Sequence, residues 1–152
     1  NNPLVNSYKR LKPNFDAPVY VSWSSNSNRS ALLRIPTERN NQIKLELRSP
    51  DSATNPYLCI AMLIYSILDG IENNMELEDA INENMYSGKN YNIKKLPDTL
   101  SEAIDEFENS NFVKEKLGAQ IFDEYIEAKK IEWNEFNNAI TDWEIKKYLE
   151  RF

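Results

Sequence analysis

Residues 43–48 read IKLELR, and these six residues alternate between apolar and charged side chains. Successive side chains of a β-strand point to opposite faces, so the alternation predicts a strand with one apolar face and one charged face. The charged face carries Lys44, Glu46 and Arg48. We therefore predict a strand over residues 43–48 whose apolar side lies in the core.

Two further strands are predicted upstream of this stretch, between prolines at positions 13, 18, 36 and 50. Residues 19–24 alternate between two faces, and the second predicted strand runs over residues 31–35. After residue 51 the apolar spacing changes to the helical period of about 3.6 residues. The sequence therefore predicts one domain of 152 residues, with a strand-rich part over 1–51 and a helical part over 52–152.

The first long helix is predicted to begin at Asn55 and Pro56, which suit the N-cap and the first helical position. It should end near Asp69, because Gly70 is a common helix terminator. Its apolar run over residues 57–68 has twelve residues, whereas a helix that crosses a membrane needs roughly 20. We expect a buried helix, packed against the sheet and other helices, and no membrane span.

Later helix boundaries are marked by two capping-box spacings, Thr99 with Glu102 and Thr141 with Glu144. Gly118 is predicted to separate a short helix from the long one that follows. Apolar side chains then recur at helical spacing along residues 122–140.

Such an aromatic stripe is most often intramolecular core, and the alternative is contact with another subunit. The polar, Asn-rich residues 73–98 are predicted to form a long surface segment with at most one short helical turn.

The composition limits the chemistry that this chain can perform. It contains no histidine and one cysteine, Cys59. A histidine general base, a Ser/His/Asp triad, a cysteine metal cluster and a disulfide framework within the chain are therefore excluded. Chemistry here must use carboxylates, Arg, Lys or Tyr.

Charge is distributed unevenly along the chain. Residues 1–51 contain eight Lys and Arg and four Asp and Glu, a balance of +4, whereas residues 52–152 have a balance of −10. The basic part contains five of the six arginines: Arg10, Arg29, Arg34, Arg39 and Arg48. Guanidinium groups bind carboxylates and phosphates through a planar fork, so this pattern favours an anionic ligand. An ordinary solvated surface is the alternative, and nucleic acid is not expected because the chain as a whole is acidic.

The strand face that carries Glu46 between Lys44 and Arg48 has two interpretations. Glu46 could bind a divalent cation beside phosphate or carboxylate oxygens, since Mg²⁺ prefers oxygen ligands. The alternative is a cross-strand ladder of salt bridges, which is common on sheets. One carboxylate cannot form a dedicated metal site, so the remaining ligands would have to lie outside this chain.

Several blocks of sequence, in this order, carry a resemblance to a known family. The chain resembles, from end to end, the C-terminal part of a bacterial type I glutamine synthetase. The blocks are NPLVNSYKRL (2–11), NRSALLRIP (28–36), LELRSPD (45–51), ATNPYL (53–58), LDGIEN (68–73) and WEIKKYLERF (143–152).

The resemblance implies an α+β fold, with short antiparallel strands of the glutamine synthetase catalytic domain followed by a mainly helical C-terminal half. It implies a glutamate–ammonia ligase that phosphorylates the side-chain carboxylate of L-glutamate with ATP. Ammonia then displaces phosphate from the γ-glutamyl phosphate. Mg²⁺ or Mn²⁺ is the implied cofactor.

The resemblance also implies roles for the basic residues. Arg10 and Arg48 match arginines that bind substrate glutamate. Arg29 matches one that contacts both the nucleotide phosphate and the reacting γ-group, and is therefore a candidate catalytic residue. Arg34 matches a nucleotide-phosphate contact, and Lys44 stands at an ATP-binding position where an arginine is usual.

Two carboxylates receive roles in the same way. Glu46 matches the glutamate that binds the metal nearest the ATP γ-phosphate. Asp16 stands where the family usually has a glutamate, in a flap that shields the intermediate and helps deprotonate ammonium, and is the second candidate catalytic residue. Asp16, and Ser27 in place of a usual arginine, permit an alternative: a non-catalytic glutamine synthetase-like protein for ligand sensing or assembly.

Tyr86 lies near a position that is adenylylated in some members, but the usual flanking pattern is missing. We expect an ordinary exposed loop tyrosine there.

The chain begins Asn1, Asn2, Pro3, without Met or a secretory signal, and we expect a cytoplasmic fragment. The resemblance places the other metal ligands and a small N-terminal domain upstream, so this chain alone is expected to be inactive. It also implies homo-oligomeric rings, a dodecamer being typical. The aromatic segment from Trp143 onward is the expected assembly contact, with no nucleic-acid or membrane partner.

Overall fold

The computed structural model describes residues 1–13, 15, 17–25, 28–36, 44–87, 92–149 and 151. The strands are β1 (Tyr20–Ser24), β2 (Ala31–Arg34) and β3 (Glu46–Leu47). The helices are α1 (Ser7–Arg10), α2 (Pro56–Glu72), α3 (Leu100–Glu108), α4 (Asn111–Leu117), α5 (Ala119–Asn138) and α6 (Asp142–Tyr148). A short 3₁₀ helix, Met85–Ser87, lies between α2 and α3. This confirms the predicted α+β class, and among the described residues no helix is long and apolar enough to cross a membrane.

The three strands form one sheet in the order β1, β2, β3. β2 and β3 are antiparallel, as expected, but β1 and β2 are parallel, so the prediction of antiparallel strands is wrong for that pair. A six-residue connection normally joins antiparallel strands. Here β2 begins beside the start of β1, and Asn28, which precedes β2, is held by hydrogen bonds to the carbonyls of Ile81 and Glu83.

β3 is shorter than predicted, with two residues rather than six. Ile43 lies outside the described residues. Leu47 pairs with Leu33 and Glu46 pairs with Arg34, so apolar and charged positions alternate across this pair of strands. The expected burial of the apolar side is wrong at Leu45, which is 48% exposed.

The N-cap of α2 is confirmed, because the Asn55 side chain accepts hydrogen bonds from the backbone N–H groups of Tyr57 and Leu58. The predicted end of the helix is wrong by one turn. Gly70 lies inside the helix, and the chain leaves it at Asn74, whose φ of 48° is left-handed. Asn tolerates that conformation nearly as well as Gly does at helix ends.

The expected burial of α2 is also wrong for this chain. The inner residues Leu58, Cys59 and Met62 line a small cavity with side chains of α3, α4 and α5. The outer face is exposed, from Tyr57 at 84% to Ile71 at 67%. We call it the α2 outer face; it consists of Tyr57, Ile60, Ile64, Ile67 and Ile71.

The C-terminal helices begin as predicted. Thr99 and Thr141 cap α3 and α6, and Thr141 forms a full capping box with Glu144. Gly118, with φ of 76°, separates α4 from α5.

The main core is formed where α1, α3 and α5 meet. Its buried residues are Tyr8, Leu11, Ala17, Leu100, Ile104, Phe122 and Ile126. The aromatic stripe of α5 is therefore core in its first half, whereas Phe136 and Ile140 near its end are exposed.

A second, smaller core lies beneath β1. It consists of Val19, Tyr20 and Met85, with Tyr86 packed against it. Met85 is 1% exposed, so the segment that contains it is not simply a surface loop as predicted. This packing, together with the hydrogen bond from the Ile81 N–H to the Trp23 carbonyl, holds residues 81–86 against β1.

Candidate functional site

The sheet brings Arg34 and Glu46 together, because these two residues are direct partners in the register of β2 and β3. Arg34 Nε donates to Glu46 Oε2 at 2.8 Å, and Arg34 Nη2 donates to Glu46 Oε1 at 2.8 Å. This is a two-point pair of the kind that suits the guanidinium fork. The hydrogen bonds from Arg34 lower the pKa of the Glu46 carboxyl, and the same bonds raise the pKa of Arg34.

Arg48 lies beside this pair. Burial lowers the pKa of its guanidinium, and the nearby charges of Arg34 and Arg29 lower it further, while Tyr86 and Glu46 oppose the shift. The positive charges of Arg48 and Arg29 also act on Glu46. Arg29 and Arg34 therefore each act on both Glu46 and Arg48, and we call these four residues the charge cluster.

The backbone around Arg29 is held by its two neighbours. The Asn28 side-chain NH₂ donates to the carbonyls of Ile81 at 3.0 Å and Glu83 at 2.8 Å. Its oxygen accepts from the Ser30 N–H at 3.0 Å and from the Ser30 hydroxyl at 2.6 Å. The buried Ser30 hydroxyl in turn accepts from the Met85 N–H at 3.0 Å.

These contacts explain how Arg29 and Arg34 can both act on one carboxylate, which strand periodicity alone does not predict. Arg29 and Arg34 are five residues apart, and in one straight strand they would point to opposite faces. In the structure Arg29 follows Asn28 and precedes β2, and both arginines act on Glu46.

Arg10 approaches the same region from α1. Its Nη2 donates to the carbonyl of Ser49 and, at 3.3 Å, to that of Pro50, the two residues that follow Arg48. Asn2 Nδ2 donates to the same Ser49 carbonyl at 2.8 Å. Arg10 Nε is buried without a hydrogen-bond partner among the described residues. A buried donor without a partner is costly, so this atom is suited to an anionic ligand.

The structure describes one of the remaining predicted residues and leaves the others outside the described part of the chain. Lys44 is exposed at the approach to β3. Asp16 and Arg39 lie outside the described residues, as does Ser27.

The sequence interpretation missed three residues with structural roles at the site: Asn28, Ser30 and Tyr86. Tyr86 was expected to be exposed, but it is half-buried and its hydroxyl donates to the Ala17 carbonyl at 2.7 Å. The Asn and Ser on either side of Arg29 were a usable signal, since both side chains commonly hydrogen-bond to the local backbone. Nothing in the local sequence indicates the contact made by Tyr86.

The described residues do not form a complete metal site. They contain no group of three His, Cys, Asp or Glu side chains that could hold an ion. Glu46 offers one carboxylate, and both of its oxygens accept hydrogen bonds from Arg34. A metal at this position would need further ligands from elsewhere, as the sequence predicts.

Comparison with known proteins gives consistent matches. The family described as glutamine synthetase, catalytic domain, matches residues 1–148. The chain is 46% identical over 153 residues to a glutamine synthetase of Methanosarcina mazei, an alignment that covers 97% of this chain and 34% of the relative. It is 43% identical over 153 residues to the glutamine synthetase of Thermotoga maritima, covering 97% of this chain and 35% of that one.

Solved structures agree with these matches. A GmaS/ADP complex superposes with a TM-score of 0.82 at 31% identity, covering 98% of this chain and 35% of that chain. Plasmodium falciparum glutamine synthetase, solved by cryo-EM, superposes with a TM-score of 0.78 at 22% identity, which shows a shared fold. It covers 97% of this chain and 37% of that one. The chain therefore spans about a third of the length of the relatives it matches.

Proposed function

Because this chain belongs to the glutamine synthetase catalytic-domain family, we propose that the protein carrying it is a glutamate–ammonia ligase that uses ATP. The observation that supports this most directly is the charge cluster, in which the positive charges of Arg29, Arg34 and Arg48 all act on the carboxylate of Glu46. The relative solved as a GmaS/ADP complex supports a nucleotide as one ligand.

The proposed reaction has two steps. A γ-carboxylate oxygen of glutamate attacks the γ-phosphorus of ATP, forms γ-glutamyl phosphate and releases ADP. Ammonia then attacks the γ-carbonyl carbon, and the bond to the phosphate oxygen breaks. Both steps bring anionic groups close together, so fixed cations are needed to offset their repulsion.

We propose that the arginines supply these cations. We assign Arg29 to the nucleotide phosphate and the reacting γ-group, and Arg34 to the nucleotide phosphate. Arg10 and Arg48 bind the glutamate carboxylates, and the partnerless Nε of Arg10 is the donor that such a ligand would satisfy. Lys44 is assigned to ATP binding. Its ammonium supplies a positive charge but lacks the paired N–H donors of a guanidinium.

Two assignments concern the carboxylates. Glu46 is proposed as one ligand of a divalent cation, Mg²⁺ or Mn²⁺, whose other ligands lie outside the described residues. Asp16 is proposed to help deprotonate ammonium.

Further properties of the whole protein follow from the family. We propose the type I subtype, homo-oligomeric rings of twelve subunits and a cytoplasmic location. The 152-residue chain alone is proposed to be inactive, because it supplies only part of the residues that the reaction needs.

The test of this function is a ligase assay on the longest polypeptide that contains this chain. We expect phosphate release from ATP that requires both glutamate and ammonia and that matches glutamine formed one for one. Phosphate release that ignores either substrate, or none at all, would contradict the proposal and favour the non-catalytic alternative. The isolated chain serves as the matched sample, and activity there would contradict its proposed inactivity.

A further inference from the structure

The hydroxyl of Tyr86 lies between two backbone segments of the site. It donates to the Ala17 carbonyl at 2.7 Å and lies 3.4 Å from the Arg29 carbonyl. Ala17 precedes β1 and Arg29 precedes β2, so one hydroxyl lies between the approaches to both strands. The ring packs against the small core of Val19, Tyr20 and Met85.

The segment that carries Tyr86 also holds both neighbours of Arg29. The Met85 N–H donates to the Ser30 hydroxyl, and Asn28 donates to the carbonyls of Ile81 and Glu83. The residue before Arg29, the residue after it and its own carbonyl therefore all contact residues 81–86. This arrangement fixes the backbone of Arg29 more fully than a surface turn would be fixed.

The same tyrosine lies close to a second arginine of the charge cluster. Tyr86 is one of the groups that oppose the lowering of the Arg48 pKa. A displacement of Tyr86 would therefore change the surroundings of two of the three guanidinium groups in the cluster.

We propose that Tyr86 is a positioning residue for Arg29: its hydroxyl holds the backbone that precedes β2 so that the Arg29 guanidinium faces Arg34, Glu46 and Arg48. The proposal rests on the proposed function, since it takes Arg29 to be a phosphate contact. Loss of the Tyr86 hydroxyl should allow Arg29 to shift. A small shift of a guanidinium that must contact a phosphate at a fixed distance reduces the binding free energy, so phosphate binding should weaken.

A double-mutant cycle tests this proposal, with ADP as the probe and isothermal titration calorimetry as the measurement. The proteins are the full-length polypeptide, its Tyr86→Phe and Arg29→Gln variants, and the double variant. Tyr86→Phe keeps the ring and removes only the hydroxyl. We expect it to weaken ADP binding about three- to tenfold, the size of a lost hydrogen bond. In the Arg29→Gln background it should change ADP binding less than twofold, because the residue through which it acts is gone.

Thr99→Ala is the matched control. It also removes one hydroxyl, but at the N-cap of α3, where the Thr99 hydroxyl accepts a hydrogen bond from the Glu102 N–H. It should lower the melting temperature without changing ADP affinity in either background. If Tyr86→Phe does not fold, Asn28→Ala tests the same attachment and should show the same dependence on Arg29.

Two results would overturn the inference while leaving the function intact. One is that Tyr86→Phe binds ADP as the parent does. The other is that the effects of Tyr86→Phe and Arg29→Gln simply multiply. If the parent itself neither binds ADP nor has ligase activity, the proposed function fails, and the positioning role fails with it.

Discussion

At the scale of single residues, the pair formed by Arg34 and Glu46 uses part of what the proposed ligands need. Both carboxylate oxygens of Glu46 accept from Arg34, and two nitrogens of the Arg34 fork are used. A carboxylate has about four lone-pair sites and a guanidinium has five N–H donors, so each residue keeps the capacity for a second partner. A cation on Glu46 and a phosphate on Arg34 could therefore bind while the pair stays in place.

The pair makes a pH-dependent contribution to stability that Glu46→Gln should remove. The pKa of Glu46 lies below its ordinary value of 4.5 because Arg34 donates hydrogen bonds to the carboxylate. For a lowered carboxyl pKa, the contribution is complete above pH of about 4.5 and is lost as the pH falls through the lower folded-state pKa. We expect the free energy of unfolding to fall by about 0.2–1 kcal/mol in the variant at pH 7, as for other exposed pairs.

Urea unfolding at a series of pH values measures this contribution. The difference between parent and variant should shrink as the pH falls below 4.5, because the parent loses the carboxylate. Glu124→Gln is the control, since Glu124 is exposed on α5, where it accepts only from Gln120, a neutral side chain. A difference that stays constant down to pH 3 would show that the Arg34 pair is not its source.

The identities of the charged site residues could be recognised in the sequence, but their mutual arrangement could not. Arg29 and Arg34 act on the same carboxylate because the chain turns between them, and that turn depends on hydrogen bonds from Asn28 to residues more than fifty positions away. Tyr86 reaches Ala17 across 69 positions. Contacts of this range leave no periodic trace in the sequence.

At the scale of elements, the two described glycines should respond in opposite ways to the same substitution. Gly118 has φ of 76°, where a side chain is strained, although nothing lies within 4 Å of an added Cβ. Gly118→Ala should therefore lower the free energy of unfolding by about 1 kcal/mol through the backbone alone. Gly70 lies inside α2, also with open space, so Gly70→Ala should raise that free energy by about 0.5–1 kcal/mol.

Thermal and urea unfolding of the two variants would measure both effects. Each variant adds one methyl group in open space, so each controls for the other. Equal effects of the same sign would contradict the assigned backbone conformations.

Helix starts were predictable because a cap is a local contact. Asn55, Thr99 and Thr141 each bond to backbone groups two or three residues ahead, and all three helices begin where the sequence predicts. The parallel pairing of β1 with β2 was not predictable, because it depends on the hydrogen bonds that hold Asn28. The exposure of α2 was not predictable either, since an apolar run indicates burial without indicating the partner.

The α2 outer face should make the 152-residue chain self-associate. Apolar side chains exposed at helical spacing over four turns form a surface that monomeric proteins rarely present. Replacing Ile60 and Ile64, which are 56% and 51% exposed, with Gln should reduce association and leave the free energy of unfolding within about 1 kcal/mol of the parent.

Sedimentation velocity and urea unfolding of the isolated chain test this expectation. Leu58→Gln is the control on the inner face of α2, where it should cost about 1–3 kcal/mol without relieving association. If the variant with Gln in place of Ile60 and Ile64 is unfolded, the α2 outer face is packed against the rest of the chain in solution. That result would contradict the prediction.

At the scale of the whole molecule, we propose that the chain supplies one charged wall of a site and not the complete site. It spans about a third of its relatives, its described residues contain no group of three metal-binding side chains, and the buried Arg10 Nε has no hydrogen-bond partner among them. The positive balance of residues 1–51 is consistent with a wall that faces anions. The sequence predicted this division of charge because it depends on composition and not on tertiary contacts.

The most direct test of the account is ADP binding by calorimetry to the full-length polypeptide and to two arginine variants. Arg34→Gln removes a member of the charge cluster, and Arg151→Gln removes an exposed arginine at the other end of the chain. The account predicts that Arg34→Gln weakens ADP binding about tenfold or more, the scale of a lost charge-assisted hydrogen bond, and that Arg151→Gln leaves it unchanged. Equal ADP affinity in the parent and both variants would contradict the claim that the cluster is a phosphate-binding wall.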